Sequence, residues 1–104
     1  MSNEFIDIHC HILPGLDEGS SGIEETEKML RIAGNDGICG IVATPHIIDG
    51  LYDNTRKTIQ EAIAGLKKTN DTCQIYTGAE VRIGRNMLSR IIEQELPLLN
   101  DKRY

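Results

Sequence analysis

The chain has 104 residues, 39% of them hydrophobic, and a formal net charge of −5, with no low-complexity tract. That length supports one compact domain with a modest core, and the acidic balance argues against nonspecific binding to nucleic acid or to anionic membranes. No apolar run approaches the roughly 20 residues of a membrane span and the N-terminus has no basic region followed by an apolar signal core, so a cytoplasmic location is expected.

The segment Phe5 to His9, with apolar Phe5, Ile6 and Ile8 around a single acid, Asp7, predicts a buried parallel strand. The turn-rich stretch "LPGLDEGSSG" follows. A helix is predicted from Ile23 to Gly34, opened by a capping box of Ser21 and Glu24, with Ile23, Thr26, Leu30 and Ala33 on one face. Asn35 to Gly37 ends it. "CGIVAT" predicts a second strand, which leaves the sheet at Pro45 and His46 because proline lacks an amide donor. After the loop "HIIDGLYDN", Asn54 is the expected N-cap of a helix from Thr55 to Lys68, whose Ile59, Ala62, Ile63 and Leu66 recur at helical spacing. "CQIYTGAEV" predicts a third strand interrupted at Gly78. A short helix from Arg85 to Glu93 follows, and then "PLLNDKRY", read as the approach to another strand. The order βαβαβα implies an α/β fold with parallel strands and helical crossovers, in which reactive groups gather at the carboxyl ends of the strands.

His9 and His11 are i and i+2 on an extended segment, so both rings point to one side while Cys10 faces away. Neutral imidazole is a common metal ligand. An isolated HxH pair is as often a pair of ordinary loop residues as a metal site, but Glu18, His46 and Glu80 also fall where a loop or strand end could bring them to the same mouth. Together these five residues suggest mixed nitrogen and oxygen donors, a set suited to manganese, iron or zinc. Asp7 and Asp17 are weaker candidates: either could orient a histidine from behind, and Asp17 could simply stabilise its turn.

The three cysteines, Cys10, Cys39 and Cys73, form no CxxC pair and are odd in number, which argues for reduced thiols and against a disulfide framework. A cysteine phosphatase of the familiar kind needs arginine six positions after its nucleophile. Those positions are Leu16, Pro45 and Ala79, so Cys10 reads as a packing residue. With no phosphate-binding loop motif present, phosphate chemistry here would have to rely on metal.

The blocks "DIHCHILPGLDEG", "IVATPHIIDGLYDN", "IYTGAEVRI" and "LLNDKRY" resemble, in order and spacing, the polymerase and histidinol phosphatase (PHP) superfamily, and within it the capsule-locus branch of bacterial manganese-dependent protein-tyrosine phosphatases. The resemblance implies the N-terminal portion of a distorted (β/α)7 PHP barrel with outer helices. Residues 1–104 would form a partial PHP domain of about three βα units and the approach to the next strand. It also implies a three-metal site at which a metal-bridged hydroxide attacks phosphotyrosine. His9 and His11 match the first ligand pair, Glu18 the acid of the "LPGxDDG" block, His46 the histidine of "TPH" and Glu80 the bridging acid; Asp17, Tyr52 and Asn54 match motif positions without so clear a role. The cofactor implied is Mn2+, with Fe or Zn as substitutes. The partners implied are a phosphotyrosine protein, a bacterial tyrosine kinase among them, in capsular or exopolysaccharide regulation.

A closed (βα) barrel takes roughly 200 or more residues. The expectation is therefore an N-terminal part with little activity alone, and the further ligands and the phosphate-gripping arginines would lie outside it. Half a barrel leaves a sheet edge and an apolar face open to self-association. Two other readings stay open: a noncatalytic truncated metal-binding module, and another PHP phosphoesterase such as a histidinol-phosphate phosphatase.

Overall fold

The computed structural model describes residues 5–68 and 73–101. Three parallel strands, β1 (Phe5–Cys10), β2 (Ile38–Ala43) and β4 (Gln74–Tyr76), form a sheet in the order β1-β2-β4. Beyond them β3 (His46–Ile47) pairs in parallel with β5 (Glu80–Val81) as a separate two-stranded ribbon. The helices are α1 (Ile23–Asn35), α2 (Arg56–Lys67) and α3 (Met87–Ile92). Among the described residues no helix is long and apolar enough to cross a membrane.

The break between the sheet and the ribbon has a local cause. Pro45 interrupts β2, and Gly78 interrupts β4 where the chain presses against its neighbour: a Cβ on Gly78 would lie 2.8 Å from Val42 Cγ1 and 3.0 Å from the Ala43 carbonyl. After both breaks the Glu80 amide donates to the Pro45 carbonyl at 3.0 Å, and pairing resumes with His46 opposite Glu80. The interruption expected at Gly78 is therefore present. The segment 46–47, expected as loop, is instead a strand, because its partner lies more than thirty residues away and leaves no local periodicity to read.

The core is built from Ile12, Leu13, Leu30, Ile41, Ile59, Ile63 and Leu66, among others. Thr26 and Leu30 of α1 are buried as the helical spacing predicts, whereas Ile23 at the first turn is exposed. The expected Ser21–Glu24 capping box does not form. Gly22 is the N-cap, and the Glu25 carboxylate accepts from the amide and hydroxyl of Ser21. In α2 the N-cap is Thr55 rather than Asn54: Thr55 and Thr58 exchange side-chain and backbone hydrogen bonds as a reciprocal box.

One further expectation is corrected. β1 is not a buried strand: Phe5 is 66% exposed and Ile8 72% exposed, since β1 is an edge of the sheet and no described residue covers its outer face. An apolar run reports that a strand can be buried on both faces, not that its covering lies in the same segment of chain. Leu99–Asp101 forms a single turn in which Asn100 and Asp101 have positive φ, 49° and 55°. Asp101 is held in that turn by Arg56, whose Nε donates to its carboxylate at 3.1 Å. Residues 102–104 of the expected approach to another strand lie outside the described residues.

Candidate metal centre

His9 and His11 flank Cys10, and their rings face one another with the two Nε2 atoms 3.4 Å apart. Cys10 turns the other way and packs against the core. Its amide donates to the Thr44 hydroxyl at 3.0 Å. Burial, reinforced by the charge of Asp7, pushes its thiol up to about 11, which suits a packing residue and not a nucleophile.

Glu80 occupies the centre of the cluster. Its Oε1 lies 2.7 Å from His9 Nε2 and 3.2 Å from His11 Nε2, and its Oε2 lies 3.1 Å from His46 Nδ1. The parallel register of β3 and β5, with His46 opposite Glu80, accounts for the last contact. Glu18 reaches in from the loop before α1 and places Oε1 2.7 Å from His46 Nε2. His9, His11 and Glu80 thus form one group of donor atoms within 4.8 Å of one another, and His11, Glu18 and His46 form a second. His11 is common to both groups, with Nδ1 held by Asp17 and Nε2 beside Glu80, and Glu80 reaches His46 at Nδ1, the other ring nitrogen from the one that meets Glu18. The loss of solvent would raise the Glu80 carboxyl, but His46, His9 and His11 together hold it below its ordinary value.

The least exposed acid of the site is Asp17, whose side chain is 1% exposed. One of its oxygens, Oδ2, contacts His11 Nδ1 at 2.7 Å and accepts from the His46 amide at 2.8 Å; the other accepts from the Gly19 amide at 2.9 Å. Burial would raise the Asp17 carboxyl, yet the hydrogen bond from His11 and those from the two amides keep it low. The His11 imidazole is raised in turn: burial opposes the charged ring, but the bond to Asp17 and the charges of Asp17 and Glu80 outweigh it. An ionised Asp17 beside Nδ1 fixes the ring with its proton on that nitrogen and leaves Nε2 as the free donor. Of the two roles open to Asp17 from sequence, it fills both: it orients a histidine and closes its own turn.

The loop carrying Asp17 and Glu18 is anchored from below. The Ser20 amide donates to the His11 carbonyl at 3.2 Å, and the buried Ser20 hydroxyl meets Thr26 of α1, which donates to the Ile12 carbonyl at 2.7 Å. Asp7 lies outside the cluster, its carboxylate accepting from the His9 amide at 3.0 Å. Tyr52 stacks on His46, ring centroids 6.1 Å apart and planes 17° from parallel. Asn54, expected as a cap, instead donates from its side chain to the carbonyls of Leu16 and His46.

A family model described as capsular polysaccharide synthesis, CpsB/CapC, matches residues 5–104. The chain belongs to the CpsB/CapC family. Over 103 residues it is 36% identical to tyrosine-protein phosphatase YwqE of Bacillus subtilis, covering 95% of this chain and 41% of YwqE. It is 32% identical over the same length to tyrosine-protein phosphatase CpsB of Streptococcus pneumoniae, covering 95% of this chain and 42% of that one. Among solved structures it matches, with a TM-score of 0.85 and 36% identity, a chain from the crystal structures of YwqE and CpsB, described as unique metal-dependent tyrosine phosphatases; 93% of this chain and 41% of that chain are covered. The fold is therefore the N-terminal portion of the CpsB/YwqE fold. The chain spans about two fifths of the length of these CpsB/CapC relatives.

Proposed function

We propose that the chain is the N-terminal part of a manganese-dependent protein-tyrosine phosphatase in which His9, His11, Glu18, His46 and Glu80 hold the metal. The observation that supports this most is the position of Glu80, with one oxygen beside His9 and His11 and the other beside His46. The spacing fits a cation. Two donors each about 2.1 Å from one ion lie about 3.0 to 3.4 Å apart in octahedral or tetrahedral geometry. Two of the separations in the first group, 3.2 and 3.4 Å, fall in that range, and the third, His9 to Glu80 at 2.7 Å, is shorter. Imidazole and carboxylate donors without thiolate suit manganese, with iron or zinc as substitutes.

When bound, the metal supplies Lewis acidity, which lowers the pKa of water, neutralises phosphate charge and stabilises the departing phenolate. The chain's own residues prepare for that chemistry. Asp17 keeps the proton on Nδ1 of His11 so that Nε2 faces the cation, and Glu80 ties the two donor groups into one unit. Cys10, a protonated thiol on the far face, takes no covalent part. Residues 1–104 would be about the first three βα units of a PHP domain, and the groups that read the substrate would belong to the three fifths of the fold that only the relatives cover.

The substrate class is phosphotyrosine on a protein, a bacterial tyrosine kinase being one such partner, in control of capsule or exopolysaccharide synthesis in the cytoplasm. Exposed Phe5, Ile6 and Ile8 support self-association through the β1 edge when the rest of the fold is missing.

The test is Mn2+-dependent hydrolysis of a phosphotyrosine peptide by the chain joined to the remainder of the fold. Turnover is expected to vanish in His9→Ala and to be small for the 104 residues alone. Mn2+ uptake with no turnover by the completed fold would replace this reading with a noncatalytic metal-binding module. Turnover of histidinol phosphate in place of phosphotyrosine would move the protein to another PHP branch.

A further inference from the structure

The two loops that carry the site are tied to each other by one buried carboxamide. Asn54 is 7% exposed, and its Nδ2 group donates to the Leu16 carbonyl at 2.8 Å and to the His46 carbonyl at 2.9 Å. Leu16 lies two residues before Glu18, and Glu18 is the acid that meets His46 Nε2 at 2.7 Å. Both protons of a single amide are thus spent on holding a loop acid beside a histidine from another element. The Asp17 bond to the His46 amide is a second tie between the same loops.

Asn54 is itself fixed from outside the site. The Arg90 guanidinium of α3 donates to the Asn54 carbonyl at 3.2 Å, to Asp49 at 2.8 Å and to Glu95 at 3.2 Å, with its side chain only 16% exposed. The next residue, Thr55, is locked by its reciprocal cap with Thr58. His9 ends β1, which Asn54 does not touch, and His11, just beyond it, is linked to the Asn54-bound loop only through the Asp17 carboxylate.

We propose that Asn54, backed by Arg90, is a positioning residue that acts more strongly on the Glu18–His46 half of the site than on the His9–His11–Glu80 half. The inference rests on the metal-site reading above. Its physical basis is that an apolar residue of similar volume removes two donors and strands two carbonyls, so the loop bearing Glu18 loses its register against His46. Loss of such an outer partner lowers metal affinity by about 10- to 100-fold.

The experiment compares the full chain with Asn54→Leu in two measurements: titration with Mn2+ alone, and hydrogen–deuterium exchange of residues 16–20 in the metal-free protein. Glu18→Ala identifies which Mn2+ belongs to the second half. In Asn54→Leu that ion is expected to bind about 10- to 100-fold more weakly, the other to be weakened distinctly less, and exchange at 16–20 to accelerate. Unchanged binding and exchange would overturn the proposal, and so would equal weakening of both ions, which marks a general structural role. If Asn54→Leu does not fold, Arg90→Gln is carried through the same two measurements, and the same results support or overturn the proposal. Failure of the unmutated chain to take up Mn2+ would overturn the metal reading, and exchange at 16–20 would then decide the positioning claim by itself.

Discussion

Along β1 the same strand serves two environments. At its end His9, and just beyond it His11, turn into a cluster where rings and carboxylates contact one another at 2.7 to 3.4 Å. Phe5, Ile6 and Ile8, a few residues earlier, stand exposed on the open edge. Among the described residues no buried side-chain nitrogen or oxygen lacks a hydrogen-bond partner, so the polar end is internally complete while the apolar edge is not. The site end is held by contacts local to this chain: the Asp17 turn, the hydroxyls of Ser20 and Thr26, the Asn54 amide and the β3–β5 ribbon. The edge is left uncovered by the described residues. Site geometry and edge stability should therefore respond to separate sets of substitutions.

The largest separation is expected from Glu80→Gln. The substitution keeps the volume of the side chain but replaces one acceptor oxygen with a donor amide and removes the charge that faces three imidazoles. Affinity for Mn2+ should fall by more than about 100-fold, the upper end for loss of an outer partner, while the thermal midpoint of the metal-free chain moves little. Isothermal titration alongside thermal denaturation reads both. An affinity within about threefold of the unmutated chain, an effect of well under 1 kcal/mol, would remove Glu80 from the centre of the site.

Gly19→Ala should disturb both site and fold. A Cβ at this position would overlap the Cβ and carbonyl oxygen of His11 and come within 3.0 Å of Asp17 Oδ1. Backbone cannot yield as a flexible side-chain end can, so a cost of about 1–3 kcal/mol is expected. His11 should also be displaced from Glu80. Denaturant titration measures the first, and the chemical shifts of the His11 ring report the second. Gly22→Ala, where the same Cβ meets nothing within 4 Å, is the matched control for the clash.

At the open edge the expectation reverses. Phe5→Lys with Ile8→Lys removes two exposed apolar groups, so the stability of the monomer should change by less than about 0.5 kcal/mol per site. Self-association measured by sedimentation should decline, since charge on an edge strand opposes strand addition. A large loss of monomer stability would mean that the outer face of β1 is covered within this chain after all.

The same contrast explains what the sequence could and could not disclose. Ile59, Ile63 and Leu66 repeat at helical spacing and are buried as that period requires. The HxH pair follows from the two-residue period of a strand. Convergence of Glu18, His46 and Glu80 depended on the order of elements, which composition and period constrain only loosely. The His46–Glu80 register could not be read, because two-residue strands carry no periodicity of their own. Asn54 and Thr55 are both good caps by propensity. The choice between them was made by Thr58, whose reciprocal bond to Thr55 released the Asn54 side chain for Leu16 and His46. The depth of Asp17 was hidden too, since an acid inside a turn-rich run looks solvated until the folded loop closes over it.

The smallest effect is expected at Cys10, where the two sides of β1 meet. If the thiol took part in the chemistry, its removal would abolish turnover in the completed fold; if it only packs, Cys10→Ala should leave Mn2+ binding within about twofold and cost about 1 kcal/mol of stability, the scale of a small core truncation. The thiol pushed up to about 11 predicts in addition that alkylation is slow in the metal-free chain. At pH 8 only about one molecule in a thousand carries the reactive thiolate. Labelling by iodoacetamide, mapped by mass spectrometry, should therefore reach Cys10 far more slowly than it reaches free glutathione, and accelerate only as pH climbs toward 11. Fast labelling at pH 8 would mean that the group is less buried and more reactive than its packing against the core implies, and would reopen a covalent route that the positions of Leu16, Pro45 and Ala79 argue against.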